Sequence, residues 1–198
     1  MKTTQIARLK ITLARVKPAV FRRIEVPLAI RLDRLHLAIQ AAMGWTNSHL
    51  YEFRSGDMGW GEPHPDYGMD GPVDAGKARL GDVLGEIGAK TLDYIYDFGD
   101  GWDHKIKIER IESAMPGIAY PRLLAAAGAC PPEDVGGSWG YAKFTAAIND
   151  PKHEHHAHYR GWYDADFDPA VVDLSGTAAR LAALAELWSQ KRPNKRKD

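Results

Sequence analysis

One cysteine, Cys130, stands among 198 residues. The chain therefore forms no disulfide within itself and has no Cys-x-x-Cys pair for zinc or redox chemistry. That usage fits a reducing compartment, and a cytoplasmic setting is expected. No apolar run is long enough to span a membrane, and the opening Met1-Lys-Thr-Thr-Gln-Ile-Ala-Arg8 lacks the apolar stretch of a signal peptide, so no membrane partner is expected. A Gly-rich nucleotide loop and a His-Glu-x-x-His pair are also missing. Asp97-Phe98-Gly99 spells a kinase metal-binding triplet, but without the nucleotide loop and the His-Arg-Asp loop it carries none of that chemistry. Net charge is absent too: 26 basic residues meet 26 acidic ones, which argues against a uniformly basic nucleic-acid binder.

The charge that is present is unevenly spread. Residues 1–34 hold nine Lys or Arg against Glu25 and Asp33, whereas residues 51–104 hold twelve Asp or Glu against four basic residues. Either the basic first strands lie beside the acidic middle and neutralise it, or they form a surface for nucleic acid. With 44% hydrophobic residues the chain can fill one core.

The stretch Tyr94 to Glu109 alternates with the period of two that strands require, around a glycine-flanked aspartate. A three-residue loop Gly99-Asp100-Gly101, with Gly101 left-handed, puts Tyr94, Tyr96, Phe98, Trp102, His104, Ile106 and Ile108 on one face. The same register sets Asp97 opposite Asp103 with Asp100 at the tip, and like charges facing one another need a cation between them. That cation is either a divalent metal held by Asp97, Asp100 and Asp103 or a neighbouring Lys or Arg. His104, on the aromatic face, is either a hydrogen-bonded core histidine or a catalytic group.

Along the chain, Ile6 to Val16 and Val20 to Val26 read as strands, with Pro27 stopping the second. Arg31 to Met43 reads as a helix capped by Asp33 and ended by Gly44. A short strand is expected over His49 to Arg54. Residues 55–77, with Trp60, His64 and Tyr67 among Gly, Pro and Asp, read as a flap over a cleft or as disorder. Leu80 to Ile87 is a short helix. Tyr120 to Gly137 reads as a turn-rich linker, Ser138 to Ile148 as a helix, and Asp173 caps the last helix, whose stripe is Leu174, Ala178, Leu181, Ala185 and Trp188. His153, His155, His156 and His158 cluster between these helices; with Cys130 they supply zinc-ligand types, but not at a local metal-binding spacing. Pro131 and Pro132, lacking N–H groups, argue against Cys130 as a hydrolase nucleophile with an oxyanion hole beside it.

Several blocks taken together resemble a known family. They are Leu9-Lys-Ile-Thr-Leu13, Pro18-Ala-Val-Phe-Arg-Arg23, Leu35 to Trp45 followed by His49-Leu-Tyr-Glu-Phe53, Tyr96 to His104, and Gly128-Ala-Cys-Pro-Pro-Glu-Asp-Val-Gly-Gly137. In this order the chain resembles the plasmid pRi ORF-three-like family of bacteria and archaea. The resemblance implies a compact α+β domain and a link to mobile-element biology, with a resolvase-like label. A resolvase needs a serine or tyrosine nucleophile among arginines, and no such constellation stands in this sequence.

The expected fold is α+β: a curved, mostly antiparallel sheet or partial barrel with helices packed on one side. One domain is expected over 1–190, β-rich to 112 and helical from 113, then a basic disordered tail over 191–198. Two functions follow. One is a non-catalytic binding module whose aromatic cleft, Trp45, Trp60, Tyr96 and Trp102, holds a peptide, protein or nucleic-acid segment. The other is a metal-dependent hydrolase using Asp97, Asp100 and Asp103, with Glu133 and Asp134 brought close by the fold and His104 as proton carrier.

Overall fold

Alternation in the first two strands becomes the middle of a sheet. In the structure, a computed structural model that describes residues 4–63, 71–163 and 166–189, β1 (Gln5–Leu13) pairs antiparallel with β2 (Phe21–Pro27). The other strands are β3 (Tyr51–Ser55), β4 (Met58–Gly61), β5 (Val73–Asp74), β6 (Thr91–Tyr96), β7 (Trp102–Ser113) and β8 (Arg122–Ala127). They form one open eight-stranded sheet in the order β5-β4-β3-β6-β7-β1-β2-β8, antiparallel except where β4 meets β5. The helices are α1 (Leu32–Met43), α2 (Leu80–Ile87), α3 (Gly137–Ile148), α4 (His156–Trp162) and α5 (Leu174–Ser189). The α+β class is as expected, with β5 and β8 left as sheet edges instead of closing a barrel. Among the described residues no helix is long and apolar enough to cross a membrane.

Register explains the core. Leu13, His104, Tyr94, Phe53 and Trp60 stand opposite one another in turn across β1, β7, β6, β3 and β4, and all are buried. Each large apolar side chain so buried stabilises the fold by about 1.5–3 kcal/mol. The outward face of the same strands carries the charge. Glu25, almost fully buried, receives hydrogen bonds from Arg8 and Arg122; burial alone would raise its pKa, but the two guanidiniums outweigh it and hold the carboxyl below its usual range. Arg23 pairs with Glu109 at 2.8 Å and Arg15 with Asp103 at 2.6 Å. The basic first strands thus neutralise acids on and beside the sheet, and Arg8 and Arg23 are already committed to partners.

Three expectations change. Tyr96 faces Trp102, so the hairpin loop spans 97–101 and is not the three residues 99–101. Faces survive because the slip is two residues, but Asp103 now stands opposite Ile95 instead of Asp97, and Phe98 is 44% exposed. The cause is the Asp97 side chain, whose Oδ1 accepts the N–H groups of Gly99 at 2.9 Å and Asp100 at 3.3 Å and so builds a longer, internally bonded turn. Gly101 is left-handed, as expected, with φ of 64°. Second, the segment expected to be an unstructured flap contains β4 and β5; its residues 64–70, with His64 and Tyr67, lie outside the described residues, as does the tail 191–198. Third, the stretch expected as a linker contributes β8, because pairing with β2 overrides the weak strand preference of Leu-Leu-Ala-Ala-Ala.

Candidate functional site

Three segments meet at one end of the central strands: the chain leaving α1, the hairpin loop 97–101 and the turn 131–137. The first is fixed from below. Gln40 Nε2 donates to the Tyr94 hydroxyl at 3.1 Å, which donates to His36 Nδ1 at 2.7 Å, and His36 Nε2 donates to Asn47 Oδ1. His36 is buried and stacked on Tyr51 with ring centroids 3.6 Å apart; burial lowers its pKa to about 4, so it stays neutral and the chain of donors has one direction. Asn47 is held with φ of 59°, which turns the backbone and places His49 two residues on.

His49 faces carboxylates from both other segments. Its Nε2 lies 3.0 Å from Asp134 Oδ1, 3.7 Å from Asp97 Oδ2 and 3.8 Å from Glu133 Oε2. That nitrogen is shut off from water, yet it makes no hydrogen bond among the described residues. One ligand atom each from His49, Asp97 and Asp134 falls within 4.8 Å of the others, a spacing that admits one ion. Asp97 and Asp134 both hold left-handed backbones, with φ of 56° and 57°, a conformation uncommon outside glycine and concentrated at functional sites.

Glu133 is positioned from behind. Its Oε1 accepts the Thr46 N–H at 2.7 Å and the Thr46 hydroxyl at 3.1 Å, and the Tyr96 hydroxyl reaches both of its oxygens at 3.2 Å. Burial raises the Tyr96 pKa, which keeps that hydroxyl a donor. The turn 131–137 is pinned to the hairpin tip, where Asp100 Oδ2 accepts the Gly136 N–H at 3.1 Å. Gly137, with φ of 66°, passes so close that a Cβ there would lie 2.3 Å from the Asp100 carbonyl oxygen. Gly137→Ala is therefore expected to cost about 2 kcal/mol or more, from left-handed strain plus the clash, and to part Asp134 from Asp97. Urea unfolding reads the cost; an unchanged midpoint means the two loops are not locked there.

The residues singled out from the sequence are dispersed by the fold. Asp97 belongs to the cluster, Asp100 bonds to Gly136 and Asp103 pairs with Arg15, so among the described residues the metal-type grouping joins Asp97 to His49 and Asp134 rather than to Asp100 and Asp103. His104, singled out as a proton carrier, is buried, its Nδ1 donates to the Trp102 carbonyl at 2.8 Å, and burial lowers its pKa to about 4. Trp45, Trp60, Tyr96 and Trp102 are 7%, 3%, 0% and 1% exposed, so they pack mainly in the core and do not share one cleft; Trp45 and Trp60 each border a different surface cavity. Asp134 comes within 4.8 Å of Asp97, and Glu133 faces the same His49 nitrogen. His49 was not anticipated; its one signal is that it heads a block of the family resemblance, as Asp97 and Glu133-Asp134 belong to two others. Burial pushes the Cys130 thiol up, opposite to what a nucleophile needs. Among the described residues the four clustered histidines form no metal-binding group.

Comparison with known proteins bears on the same segments. A family model described as plasmid pRiA4b ORF-3-like protein matches residues 5–176, which include all three. An uncharacterized protein of Sinorhizobium fredii, y4hQ, is 51% identical over 187 residues, covering 94% of this chain and 95% of its own. A crystal structure from Methanosarcina mazei Go1, described as a protein of unknown function, matches with a TM-score of 0.78 at 34% identity, over 87% of this chain and 97% of its own.

Proposed function

This chain belongs to the plasmid pRiA4b ORF-3-like family, and from the geometry of its centre we propose that it is a divalent-cation-dependent hydrolase with His49, Asp97 and Asp134 around the cation and Glu133 beside it. The observation that carries this is His49 Nε2: enclosed, without a hydrogen bond, and faced by three carboxylates at 3.0 to 3.8 Å. Ligands about 2.1 Å from a tetrahedrally bound ion stand about 3.4 Å apart, which falls inside that range. One imidazole with carboxylate oxygens suits zinc or manganese better than calcium.

Such a cation polarises water and lowers its pKa towards neutrality. The protein's part is to hold the ligands and manage the proton. Asp134 is largely exposed, which leaves one side of the centre open to a substrate. Glu133, oriented by Thr46 and Tyr96, is the group to accept the proton of the attacking water. Beside His49 and Asp97, their chain neighbours Leu50 and Phe98 line an open groove of about 790 Å³ with Met58 and Val73, all four partly exposed. That groove suits the apolar portion of a substrate.

The groove also supports a second reading, a non-catalytic module in which the cation is structural and an apolar segment of a partner is bound. Turnover separates the two. Untagged protein purified without chelator is expected to carry one divalent ion per chain by elemental analysis, and to hydrolyse aryl phosphates or esters only when the ion is restored after stripping. Stoichiometric ion without turnover favours the module. No ion, and none taken up from zinc or manganese solutions, removes both.

A further inference from the structure

Arg22 interrupts an apolar alternation. Val20, Ile24 and Val26 are buried on the same side of the strand, and Arg22 stands among them opposite Ile11, 1% exposed. Its Nε donates to the Ala42 carbonyl at 2.7 Å, and Nη1 to the carbonyls of Phe21, Ala127 and Gly128 at 2.9, 3.0 and 3.1 Å. Among the described residues Nη2 donates to nothing, and no carboxylate pairs with this guanidinium. A buried charge without a counter-ion is costly, and the unused Nη2 keeps N–H donors on a charged group for an oxyanion to accept.

The guanidinium borders a cavity of about 910 Å³ whose wall also includes Arg180, Trp45, Phe167 and Glu133. Arg180 comes from α5, donating from Nε to the Ala41 carbonyl at 2.9 Å and from Nη2 to the Thr177 hydroxyl at 3.0 Å. The two arginines thus cap the free carbonyls at the end of α1, and capping accounts for their Nε atoms while leaving Arg22 Nη2 unused. Acids also border the cavity, but at its mouth or already engaged. Asp166 and Asp168 are exposed, Asp173 accepts from Ser175 and Gly176, and Glu133 is held by Thr46 and Tyr96. Arg22 is the buried cation of the cavity, while Arg180 is partly exposed with its Nη1 4.0 Å from Asp173 Oδ2.

We propose that this cavity binds a small molecule through an oxyanion, a carboxylate or phosphate group received by Arg22 Nη2 and Arg180, with Trp45 and Phe167 packing its apolar remainder. The volume falls in the range of about 300–1,000 Å³ usual for such ligands. Glu133 borders both this cavity and the cation centre, so a bound oxyanion lies beside that centre. The inference stands without the cation, and its test is run in chelator so that failure of one leaves the other intact.

Inorganic phosphate and benzoate, titrated calorimetrically into the full chain at constant ionic strength against sodium chloride, are the probes. One or both bind saturably at one site per chain, and Arg180→Gln weakens that binding at least about tenfold, the loss expected for one charge-assisted hydrogen-bonding partner. Arg22→Lys keeps the charge but loses the Nη2 donors and has the same effect; if that variant does not fold, Arg180→Gln, at a partly exposed helical position, decides alone. No saturable binding by either anion, or equal binding by wild type and Arg180→Gln, overturns the proposal and leaves the arginines as helix caps.

Discussion

Asp97→Asn is expected to weaken divalent-cation binding about a hundredfold or more while the chain stays folded. Asparagine keeps the Oδ1 that accepts the Gly99 and Asp100 N–H groups, and it tolerates the left-handed backbone that Asp97 holds. What it loses is the charge at Oδ2, the atom 3.7 Å from His49 Nε2. Asp103→Asn is the matched control. Its carboxylate pairs with Arg15 at 2.6 Å between half-exposed side chains, so its loss costs about 1 kcal/mol at most and leaves cation affinity unchanged. Calorimetric titration of zinc and manganese into the three proteins reads the difference. Equal affinity in wild type and Asp97→Asn sinks the centre, and equal losses in both variants would restore the grouping of Asp97 with Asp103. In chelator, Asp97→Asn should melt no lower than wild type, because one of three carboxylates crowded around His49 has lost its charge.

The contrast between these two aspartates marks how far the sequence could be read. Which face each hairpin residue occupies depends only on a period of two, a local property, so Tyr94, Trp102, His104 and Ile106 are all buried as expected. Where the ladder ends is not local. Asp97 leaves it as its N–H donates to the carbonyl of Leu50, just before β3 and far back in the chain, at 2.9 Å, while its own side chain caps the loop. Asp103 finds its cation in Arg15 for a similar reason, since β1 lies beside β7 only in the finished sheet. The aromatic residues misled in another way. Trp45, Tyr96 and Trp102 pack together, with Tyr96 4.9 Å and Trp102 5.9 Å from Trp45 between ring centroids, and composition cannot distinguish a filled core from an open cleft of the same rings. His49 was hidden because its partners arrive from segments about 48 and 85 residues on, with no spacing rule to connect them. Among the described residues Arg22 is the one buried arginine, and it sits as a break in the alternation of its strand, a mismatch of the kind that functional sites produce.

Acid should unfold this protein through two histidines before its carboxylates take part. His36 and His104 are buried, and burial lowers both pKa values from 6.5 to about 4. Below pH 6.5 the unfolded chain takes up a proton on each, while the folded chain does not until about pH 4. Across that window the unfolded state binds more protons, so stability falls as pH falls, and it is fully present above pH 6.5. At about 1.4 kcal/mol per pH unit each histidine withdraws about 3 kcal/mol by pH 4, and the pair about 6, comparable with the whole stability of many domains. Neither ring can accept the extra proton in place. His104 Nδ1 already donates to the Trp102 carbonyl and its Nε2 is enclosed without an acceptor, while a proton on His36 Nδ1 would oppose the Tyr94 hydroxyl. Glu25 and Glu109, whose pKa values are lowered, keep their contributions until pH drops below the ordinary carboxylate value of 4.5, so the fall between pH 6.5 and 4.5 belongs to histidine. Urea midpoints measured in chelator from pH 7.5 to 4.5 should decline steeply, and His104→Leu, which extends the apolar row from Leu13, should halve the slope. A slope unchanged by that substitution would mean that His104 titrates as an exposed ring. Repeating the series with zinc adds the binding free energy of the ion, and Asp97→Asn removes that added portion while leaving the histidine slope intact.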